Sequence, residues 1–355
     1  MCAALAFVVT SAALRLPVPS LIGSFIDNPI NRFPDAIRSR VGKRCGYAQV
    51  MPNTSPPRDL QRPFDAQALG GSGAVGRYLL RRLSGSGRNV IALSRASAPA
   101  WSAAWSSVEW VRGGLPHTRL ADLPAADVLI SAGPLDALAE ACALSLHPQV
   151  KRVVALSSLS IEWKWDSPNP AERNLARRLL ACEQRLLEAL GARGVALVLL
   201  RPGMIYGAGV DKSLSPLLRF ASRWRCLPWP SAGRGLRCPV HADDVAAALE
   251  VSAFAADADS HSHPIHLPGP TSLPFDSLLD QMLAALANDA KRIALPVPLS
   301  LLRHIATGNG RVAAFAATLY RSAQNQQSNL LGWSKLGLSP RDFAPQPADF
   351  EPWKN

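Results

Sequence analysis

The sequence predicts an α/β fold in which a doubly wound parallel sheet is followed by a smaller, mostly helical region. Two observations predict this fold class. Short apolar runs typical of buried parallel strands alternate with amphipathic helical patterns, at about thirty residues per unit. A glycine-rich segment, Gly70–Gly76, lies between the first strand candidate and the first helical pattern. A chain of 355 residues is long enough to bury one or two such domains.

The glycine-rich segment has a G-x-x-G-x-x-G pattern at positions 70, 73 and 76. In a Rossmann-type fold, these glycines allow the tight turn after a strand, the approach of the backbone to a pyrophosphate and the close packing of the next helix. We therefore expect the following residues to contact a dinucleotide: Gly70, Ser72, Gly73, Ala74, Val75 and Gly76. The preceding run, residues 64–69, has no β-branched residue and is a poor strand by composition. A flexible turn before a helix is the alternative.

The second strand is predicted at residues 89–95, after a helix from Val75 to about Ser84. The end of this strand is where such folds recognise the ribose, and an acidic residue there favours NAD. Ser94 and Arg95 instead offer a hydroxyl and a guanidinium, which suit a 2′-phosphate. We therefore predict NADP as the cofactor, with NAD possible. A solvated arginine at a strand end is the alternative.

Further strands are predicted at 108–111, 127–133, 150–158 and 195–200, and helices at 136–145 and 170–190. Ligands bind at the carboxyl ends of parallel strands. Ala132 and Gly133 end the fourth of the six strands and are small enough to leave room for the adenosine half of a cofactor. Ser158 ends the fifth strand. Later helices are expected at 245–251, 275–286 and 299–320.

Composition limits the other classes of function. The formal charge is +12, but the basic residues are spread out and no nucleic-acid-binding motif is present, so no nucleic-acid partner is expected. The six cysteines form no C-x-x-C pair, which favours a reducing, cytoplasmic compartment over a zinc site. His261, His263 and His266 lack an acidic partner, so no metal is expected.

Residues 1–62 differ from the rest of the chain. The apolar run Cys2–Leu14 is too short to span a bilayer, and no membrane association is expected. Proline, serine, asparagine and arginine then accumulate, as in a disordered segment. We expect an N-terminal extension over 1–62, either an appended tail or a non-native start upstream of Met51. A dinucleotide-binding core is expected over 63–207, a smaller domain over 208–345 with segments returning to the core at about 238–270, and a tail over 346–355.

Five segments occur in the order found in one family. They are Gly70–Gly76, Val153–Ser158 (V-V-A-L-S-S), Leu200–Gly207 (L-R-P-G-M-I-Y-G), Cys238–Ala246 (C-P-V-H-A-D-D-V-A) and Leu331–Trp333 (L-G-W). With them, residues 64–345 resemble the extended and atypical short-chain dehydrogenases/reductases of the NAD(P)-dependent epimerase/dehydratase type. The resemblance implies that Arg201 and Pro202 contact the cofactor. It also implies that Tyr206 lies by the substrate pocket and that Ser158 holds a substrate oxygen.

The chain departs from this family at the catalytic pair Y-x-x-x-K. Glu183 matches the glutamate that follows the pair, which places Leu179 at the lysine position and Leu175 at the tyrosine position. No tyrosine occurs between Tyr78 and Tyr206. Because leucines cannot transfer protons, other groups must serve if turnover occurs.

Ser158, Lys164 and Tyr206 are the candidate catalytic residues. Lys164 lies in a loop between two tryptophans, where a solvated charge is the alternative role. We expect His241 to bond a backbone group or Asp243 and so to link the two domains, and Asp244 to cap the helix that follows. The resemblance implies that residues 208–345 form the small substrate domain. Arginines within residues 208–237 would suit a phosphate or carboxylate on a substrate, and a partner-facing or solvated surface is the alternative.

The predicted function is that of an NADP-binding oxidoreductase or epimerase/dehydratase acting on a small carbonyl or nucleotide-sugar-like substrate, as a monomer or homodimer. The hydride chemistry would belong to the nicotinamide. A non-catalytic NADP-binding redox sensor or assembly factor of the NmrA-like kind is the alternative. A protein that binds no nucleotide is a third possibility.

Overall fold

The computed structural model describes residues 64–211, 214–255, 263–286, 290–326 and 329–351. The predicted N-terminal extension, His261 and residues 352–355 of the tail lie outside these ranges. The strands are β1 (Phe64–Leu69), β2 (Val90–Ser94), β3 (Val108–Arg112), β4 (Ala126–Ser131), β5 (Arg152–Leu156), β6 (Ala196–Pro202), β7 (Met204–Tyr206), β8 (Cys226–Pro230), β9 (Leu236–Arg237), β10 (Pro239–His241), β11 (Ile265–Leu267), β12 (Leu273–Pro274) and β13 (Lys291–Leu295).

The helices alternate with these strands in the first half of the described chain and predominate in the second. They are α1 (Ala74–Gly85), α2 (Leu135–Leu144), α3 (Ser160–Trp163), α4 (Pro170–Gly191), α5 (Ser215–Trp224), α6 (Ala242–Phe254), α7 (Phe275–Ala285), α8 (Leu299–Ala306), α9 (Gly310–Arg321) and α10 (Leu331–Lys335). None of the helices in the described ranges is long and apolar enough to cross a bilayer.

Seven parallel strands form the main sheet, in the spatial order β11-β6-β5-β4-β1-β2-β3. The six strands predicted from the sequence are all present, and the predicted fold class is confirmed. The seventh strand, β11, contains His266. Outward from β1, the strands follow as β2 and β3 on one side and as β4, β5 and β6 on the other, which places a topological switch point between β1 and β4.

The strand β1 forms although its composition is poor for a strand. It lies at the centre of the sheet and pairs with β2 on one side and β4 on the other. The Asp65 carboxylate accepts a hydrogen bond of 2.7 Å from the Asn89 N–H. The buried Gln67 side chain donates one of 2.9 Å to the Pro124 carbonyl. Tertiary pairing on both edges therefore overrides weak local propensity.

Helices cover both faces of the sheet, and alternate strand residues point to each. On one face, α1 and α6 bury Leu79 and Leu249 against Ala66 and Val90 of the sheet. On the other face, α2 and α4 pack in the same way with Leu138 and Leu186 among the buried residues. The helix α4 begins where Asn169 accepts hydrogen bonds from the N–H groups of its first turn.

The second region has its own core, built around Trp229, Leu278 and Met282. Its strands β8 and β13 pair in parallel. The helix predicted over 299–320 is wrong as a single element, because α8 and α9 are separate helices divided by residues 307–309. The dividing triplet is Thr-Gly-Asn, and glycine and asparagine favour a turn over a continuous helix. Residues 239–267 contribute β10, α6 and β11, of which α6 and β11 pack on the main sheet.

Candidate functional site

The glycine-rich loop closes tightly on the end of β4. Gly70 has a φ of +76°, and a Cβ there would lie 2.6 Å from the backbone nitrogen of Gly133. A Cβ on Gly76 would lie 2.1 Å from the Gly70 carbonyl oxygen. The Gly73 N–H donates a hydrogen bond of 3.0 Å to that same oxygen. The structure therefore brings together the loop and Ala132–Gly133, and it gives Gly70 and Gly76 separate steric reasons to be glycine.

The helix α1 presents a free N-terminus at this loop. Its N-cap residue is Gly73, no side chain among the described residues caps it by a hydrogen bond, and its first turn contains no acidic residue. The predicted contact residues Ala74 and Val75 lie in this first turn, and Ser72 directly precedes the N-cap. Uncapped N–H groups and the helix dipole favour an anion at this position. The arrangement is the one that a pyrophosphate requires.

A cleft of about 560 Å³ opens beside the loop, at the carboxyl end of β2. It is lined by Ser72, Arg77, Ser94, Arg95 and the segment from Ala96 to Trp101. The buried Ser94 hydroxyl accepts a hydrogen bond of 3.2 Å from the Ala96 N–H. Arg95 is exposed, and its stem passes Gly114, where a Cβ would lie 2.6 Å from the Arg95 Cγ. The two residues predicted to meet a ribose phosphate thus share one cleft.

Arg77 is a residue of this cleft that the sequence reasoning missed. Its side chain is buried, its Nε–H donates a hydrogen bond of 3.1 Å to the Ser72 carbonyl, and its guanidinium lies 5.1 Å from the ring centre of Trp101. Burial lowers the pKa of Arg77 from its ordinary value. In the sequence, the indication that Arg77 belongs to the site was its place directly after the third glycine of the pattern.

The candidate catalytic residues Ser158 and Lys164 lie on either side of the short helix α3. The Ser158 hydroxyl accepts a hydrogen bond of 3.0 Å from the Ser160 N–H at the start of that helix. Lys164 is partly buried, and burial lowers the pKa of its ammonium to about 8, with Arg321 adding to the decrease and Glu172 opposing it. The Glu172 and Arg321 side chains form an ion pair with an O–N distance of 2.6 Å.

Tyr206, the third candidate, is enclosed rather than open to a cleft. It is 1% exposed, and its ring packs edge-on against His241 and Phe343 at centroid distances of 5.0 and 5.1 Å. Burial is the main cause of its raised pKa, and Asp349 and Asp244 raise the pKa further. The structure therefore buries the Tyr206 ring between His241 and Phe343.

The imidazole of His241 joins the core to the C-terminal segment 339–351, which we call the C-terminal strap. Its Nδ1 accepts a hydrogen bond of 3.1 Å from the Asp243 N–H, so the expected bond to Asp243 is confirmed. Its Nε2 lies 3.0 Å from the Asp349 carboxylate. His241 is thereby the N-cap of α6, and the cap predicted at Asp244 is wrong. Asp244 lies within the helix and pairs with Arg341 at 2.9 Å.

Arg341 also binds Asp243, at 2.7 Å, so that the C-terminal strap is tied to the first turn of α6. The Asp243 carboxylate accepts a second hydrogen bond, of 2.7 Å, from Arg82 on α1. Burial alone would raise the pKa of Asp243, but the bonds from Arg82 and Arg341 outweigh it, and the pKa is lowered. The carboxylate is therefore held in its charged form.

Arg201 and Pro202, expected near the cofactor, end the strand β6. The Arg201 guanidinium is bound to Glu183 by two hydrogen bonds of 2.9 and 2.5 Å, and it lies 3.3 Å from Glu162. The Ser157 hydroxyl also donates to the Glu183 carboxylate. The Pro202 carbonyl accepts from the Leu159 N–H at 3.1 Å. These contacts fix the turn that carries Ser158.

The two leucines that stand at the tyrosine and lysine positions of the family pattern lie on α4. Leu175 and Leu179 are both partly buried, and Leu179 packs against the core between α4 and the sheet. Within the described residues, no group of three or more His, Cys, Asp or Glu side chains could hold a metal ion.

The parallel sheet, its flanking helices and the glycine-rich loop together define a Rossmann-type α/β protein. No protein-family model and no curated protein sequence matches the chain. Solved structures do match it, and they include NAD-dependent epimerases and dehydratases and their complexes. The chain therefore has the fold of that group.

Three of these structures illustrate the similarity. MoeE5 in complex with UDP-glucose and NAD is 23% identical, with a TM-score of 0.57 over 78% of this chain and 93% of that chain. UDP-glucose 4-epimerase from Brucella ovis in complex with NAD is 15% identical, with a TM-score of 0.59 over 81% and 96%. TunA, an NAD-dependent NDP-hexosamine 5,6-dehydratase, is 18% identical, with a TM-score of 0.52 over 66% and 85%. At these identities the likeness establishes the fold.

Proposed function

We propose that the protein belongs to the epimerase/dehydratase group and binds a nicotinamide dinucleotide across the carboxyl edge of its main sheet. The observation that carries this proposal is the closure of the loop at Gly70 and Gly76, which leaves no room for a Cβ and presents the uncapped start of α1. The pyrophosphate would lie on residues 70–76, and the adenosine against Ala132 and Gly133. The residues present thus fit the group that the resemblance implies.

The dinucleotide that we propose is NADP, with NAD as the weaker ligand. Ser94 and Arg95 line the same cleft at the end of β2, and none of the described residues that line it is acidic. A carboxylate there would bind a free ribose hydroxyl and repel a phosphate, whereas a guanidinium attracts one. MoeE5 and the Brucella ovis epimerase were both solved with NAD, so this preference would distinguish the chain from them.

The substrate that we propose is a small carbonyl or a nucleotide-sugar-like molecule. MoeE5 was solved with UDP-glucose and with UDP-glucuronic acid, which supports a sugar nucleotide as the first class to test. The bound nicotinamide would supply hydride transfer. Ser158 would hold the substrate oxygen, and Tyr206 would support the pocket wall from behind.

Lys164 would carry the proton in place of the missing tyrosine. Its ammonium has a pKa near 8, so that both the charged and the neutral amine are populated close to neutral pH. The Nζ atom could then donate a proton to a developing alkoxide and recover it afterwards. Leu175 and Leu179 would only pack.

A non-catalytic NADP-binding sensor or assembly factor is the second candidate. The leucines on α4 favour it, as does the Ser158 hydroxyl, which already accepts a bond from the backbone of Ser160. The third possibility, a protein that binds no nucleotide, loses its main support because β1 is well formed at the centre of the sheet. The cytoplasmic location stays a proposal that rests on the cysteine pattern, and a monomer or homodimer remains the expected state.

Titration of the purified full chain with NADPH and NADH tests the binding proposal, and oxidation of bound NADPH by a panel of carbonyls and nucleotide sugars tests turnover. Absence of dinucleotide binding would refute both candidates. Tight NADPH binding without turnover would support the sensor. Substitution of Lys164 by methionine should abolish turnover and leave NADPH affinity unchanged, whereas Lys151→Met, an exposed control, should leave both unchanged.

A further inference from the structure

Arg77 occupies an unusual position for a charged side chain. It is 8% exposed, and it lies on the first turn of α1, directly after the glycine whose Cβ has no room. A buried guanidinium is normally matched by a carboxylate, because an unpaired charge in a protein interior is strongly unfavourable. For Arg77 the matching group is missing from the described residues. Its Nη1 atom is buried there without a hydrogen-bond partner.

The contacts that Arg77 makes fix the orientation of its guanidinium group without neutralising its charge. The Nε–H donates to the Ser72 carbonyl, a neutral acceptor, and the guanidinium lies over the ring of Trp101. Burial lowers the pKa of Arg77, and no carboxylate acts against that decrease. A side chain fixed in this way is pre-organised for an anion, because little conformational entropy remains to be lost on binding.

The cleft that Arg77 lines indicates which anion it would meet. Three serines and a second guanidinium, those of Ser72, Ser94, Ser97 and Arg95, line the same space. Hydroxyls and planar guanidinium groups are donors that bind the oxygens of a phosphate. The cleft adjoins the end of β2, where a Rossmann-type fold places the adenosine ribose.

We propose that Arg77, rather than the exposed Arg95, is the residue that determines selectivity for a 2′-phosphorylated dinucleotide, because its buried guanidinium is completed by that phosphate. This inference rests on the proposed dinucleotide binding. It adds the residue that discriminates between the two cofactors, and it assigns Arg95 a minor, solvent-screened contribution. The reason is that a charge-assisted hydrogen bond is strengthened by burial, whereas an exposed charge is weakened by water and salt.

The test compares two probes that differ only in the 2′-phosphate, adenosine 2′,5′-bisphosphate and AMP, by calorimetric titration of the full chain. NAD⁺ is titrated alongside and reports the proposed function independently. The variants are Arg77→Met, which keeps an apolar stem, and Arg77→Lys, which keeps the charge but not the planar fork. Arg95→Met is the matched control from the same cleft. Circular dichroism melting reports whether each variant is folded.

We expect the wild type to prefer the bisphosphate over AMP by about tenfold to hundredfold, the range of a buried charge-assisted contact. Arg77→Met should reduce this preference to about twofold or less, with AMP affinity unchanged, and Arg95→Met should keep most of it. Arg77→Lys should retain part of the preference, which keeps the inference testable if Arg77→Met does not fold.

Three results would overturn the inference while leaving the proposed dinucleotide binding in place, provided that NAD⁺ still binds; the first of them would also refute the proposed preference for NADP. These are a wild type without preference for the bisphosphate, a preference lost in Arg95→Met but kept in both Arg77 variants, and an equal loss of AMP and bisphosphate affinity in Arg77→Met. The last result would assign Arg77 a purely structural role. Failure of the wild type to bind NAD⁺ and NADP⁺ would instead refute the proposed function, and the inference with it.

Discussion

Substitution of Glu183 by glutamine should be among the most destabilising single changes where α4 packs against the main sheet. The Glu183 carboxylate is 6% exposed and binds Arg201, which is 11% exposed, through two hydrogen bonds. The pKa of Arg201 is raised because these contacts outweigh the effect of its burial. Removal of the carboxylate's charge therefore leaves a guanidinium buried with its main counter-ion gone.

The expected loss in the free energy of unfolding follows from the burial of both Glu183 and Arg201. Breaking a buried ion pair on one side typically costs about 3–5 kcal/mol, because the remaining charge is left unpaired. Arg201 still has Glu162 at 3.3 Å, but that carboxylate is 44% exposed and compensates only in part. We therefore expect the lower end of the range, about 3 kcal/mol. For a domain of this size, that corresponds to a fall in melting temperature of about 6–12 °C.

The assay is reversible denaturant and thermal unfolding of the full chain at neutral pH. Glu188→Gln, an exposed change on the same helix, should alter the free energy of unfolding by about 0.5 kcal/mol or less. The double variant Glu183→Leu with Arg201→Met should recover most of the loss, since a pair replaced by apolar groups leaves no charge unpaired. The reasoning fails if Glu183→Gln melts with the wild type, or if the double variant is less stable than Glu183→Gln alone.

Three further predictions concern the loop, the C-terminal strap and a helix cap. Gly76→Ala should lower the free energy of unfolding by about 1–3 kcal/mol and weaken NADPH binding at least about tenfold, because the new Cβ would meet the Gly70 carbonyl. Gly85→Ala is the control, because a Cβ there would meet open space, and it should change neither quantity. Denaturant unfolding and NADPH titration measure the two effects. Asp243→Asn should lower stability at neutral pH. The pKa of Asp243 is lower in the folded protein than in the unfolded chain, so its carboxylate stabilises the fold above the unfolded pKa, and this stabilisation is lost as the pH falls through the folded pKa. The free energy of unfolding of Asp243→Asn should therefore depend less on pH than that of the wild type below about pH 4. Equal slopes of the two profiles in acid would contradict this. Asn169→Ala removes the α4 cap and should cost about 1–3 kcal/mol in denaturant unfolding, and an unchanged midpoint would count against the cap's contribution.

The positions of six strands of the main sheet and the glycine-rich loop were accessible from the sequence because each depends on a local pattern. Buried parallel strands are continuous apolar runs, and the loop glycines have a fixed spacing before a helix. The strand β1 was doubtful because local propensity does not record that it pairs on both sides. The break between α8 and α9 was missed because apolar residues continue on both sides of Thr307–Asn309.

The candidate site was predicted less completely than the fold. Ser94 and Arg95 were identified because they follow a strand end, a position fixed by topology. Arg77 was missed because its significance depends on burial and on the absence of a partner, and neither is visible in a sequence. The enclosure of Tyr206 likewise depends on Phe343, a residue distant in the chain that reaches it only through the C-terminal strap.

The C-terminal strap has a consequence for how the chain acquires its structure during synthesis. Arg341 bonds to Asp243 and Asp244 across separations of 98 and 97 residues, and Asp349 meets His241 across 108. The first turn of α6 therefore emerges from the ribosome after Arg82, which binds Asp243, but well before Arg341 and Asp349. The nascent core must hold an acidic helix start and an incompletely covered Tyr206 until residues 341–349 have been made.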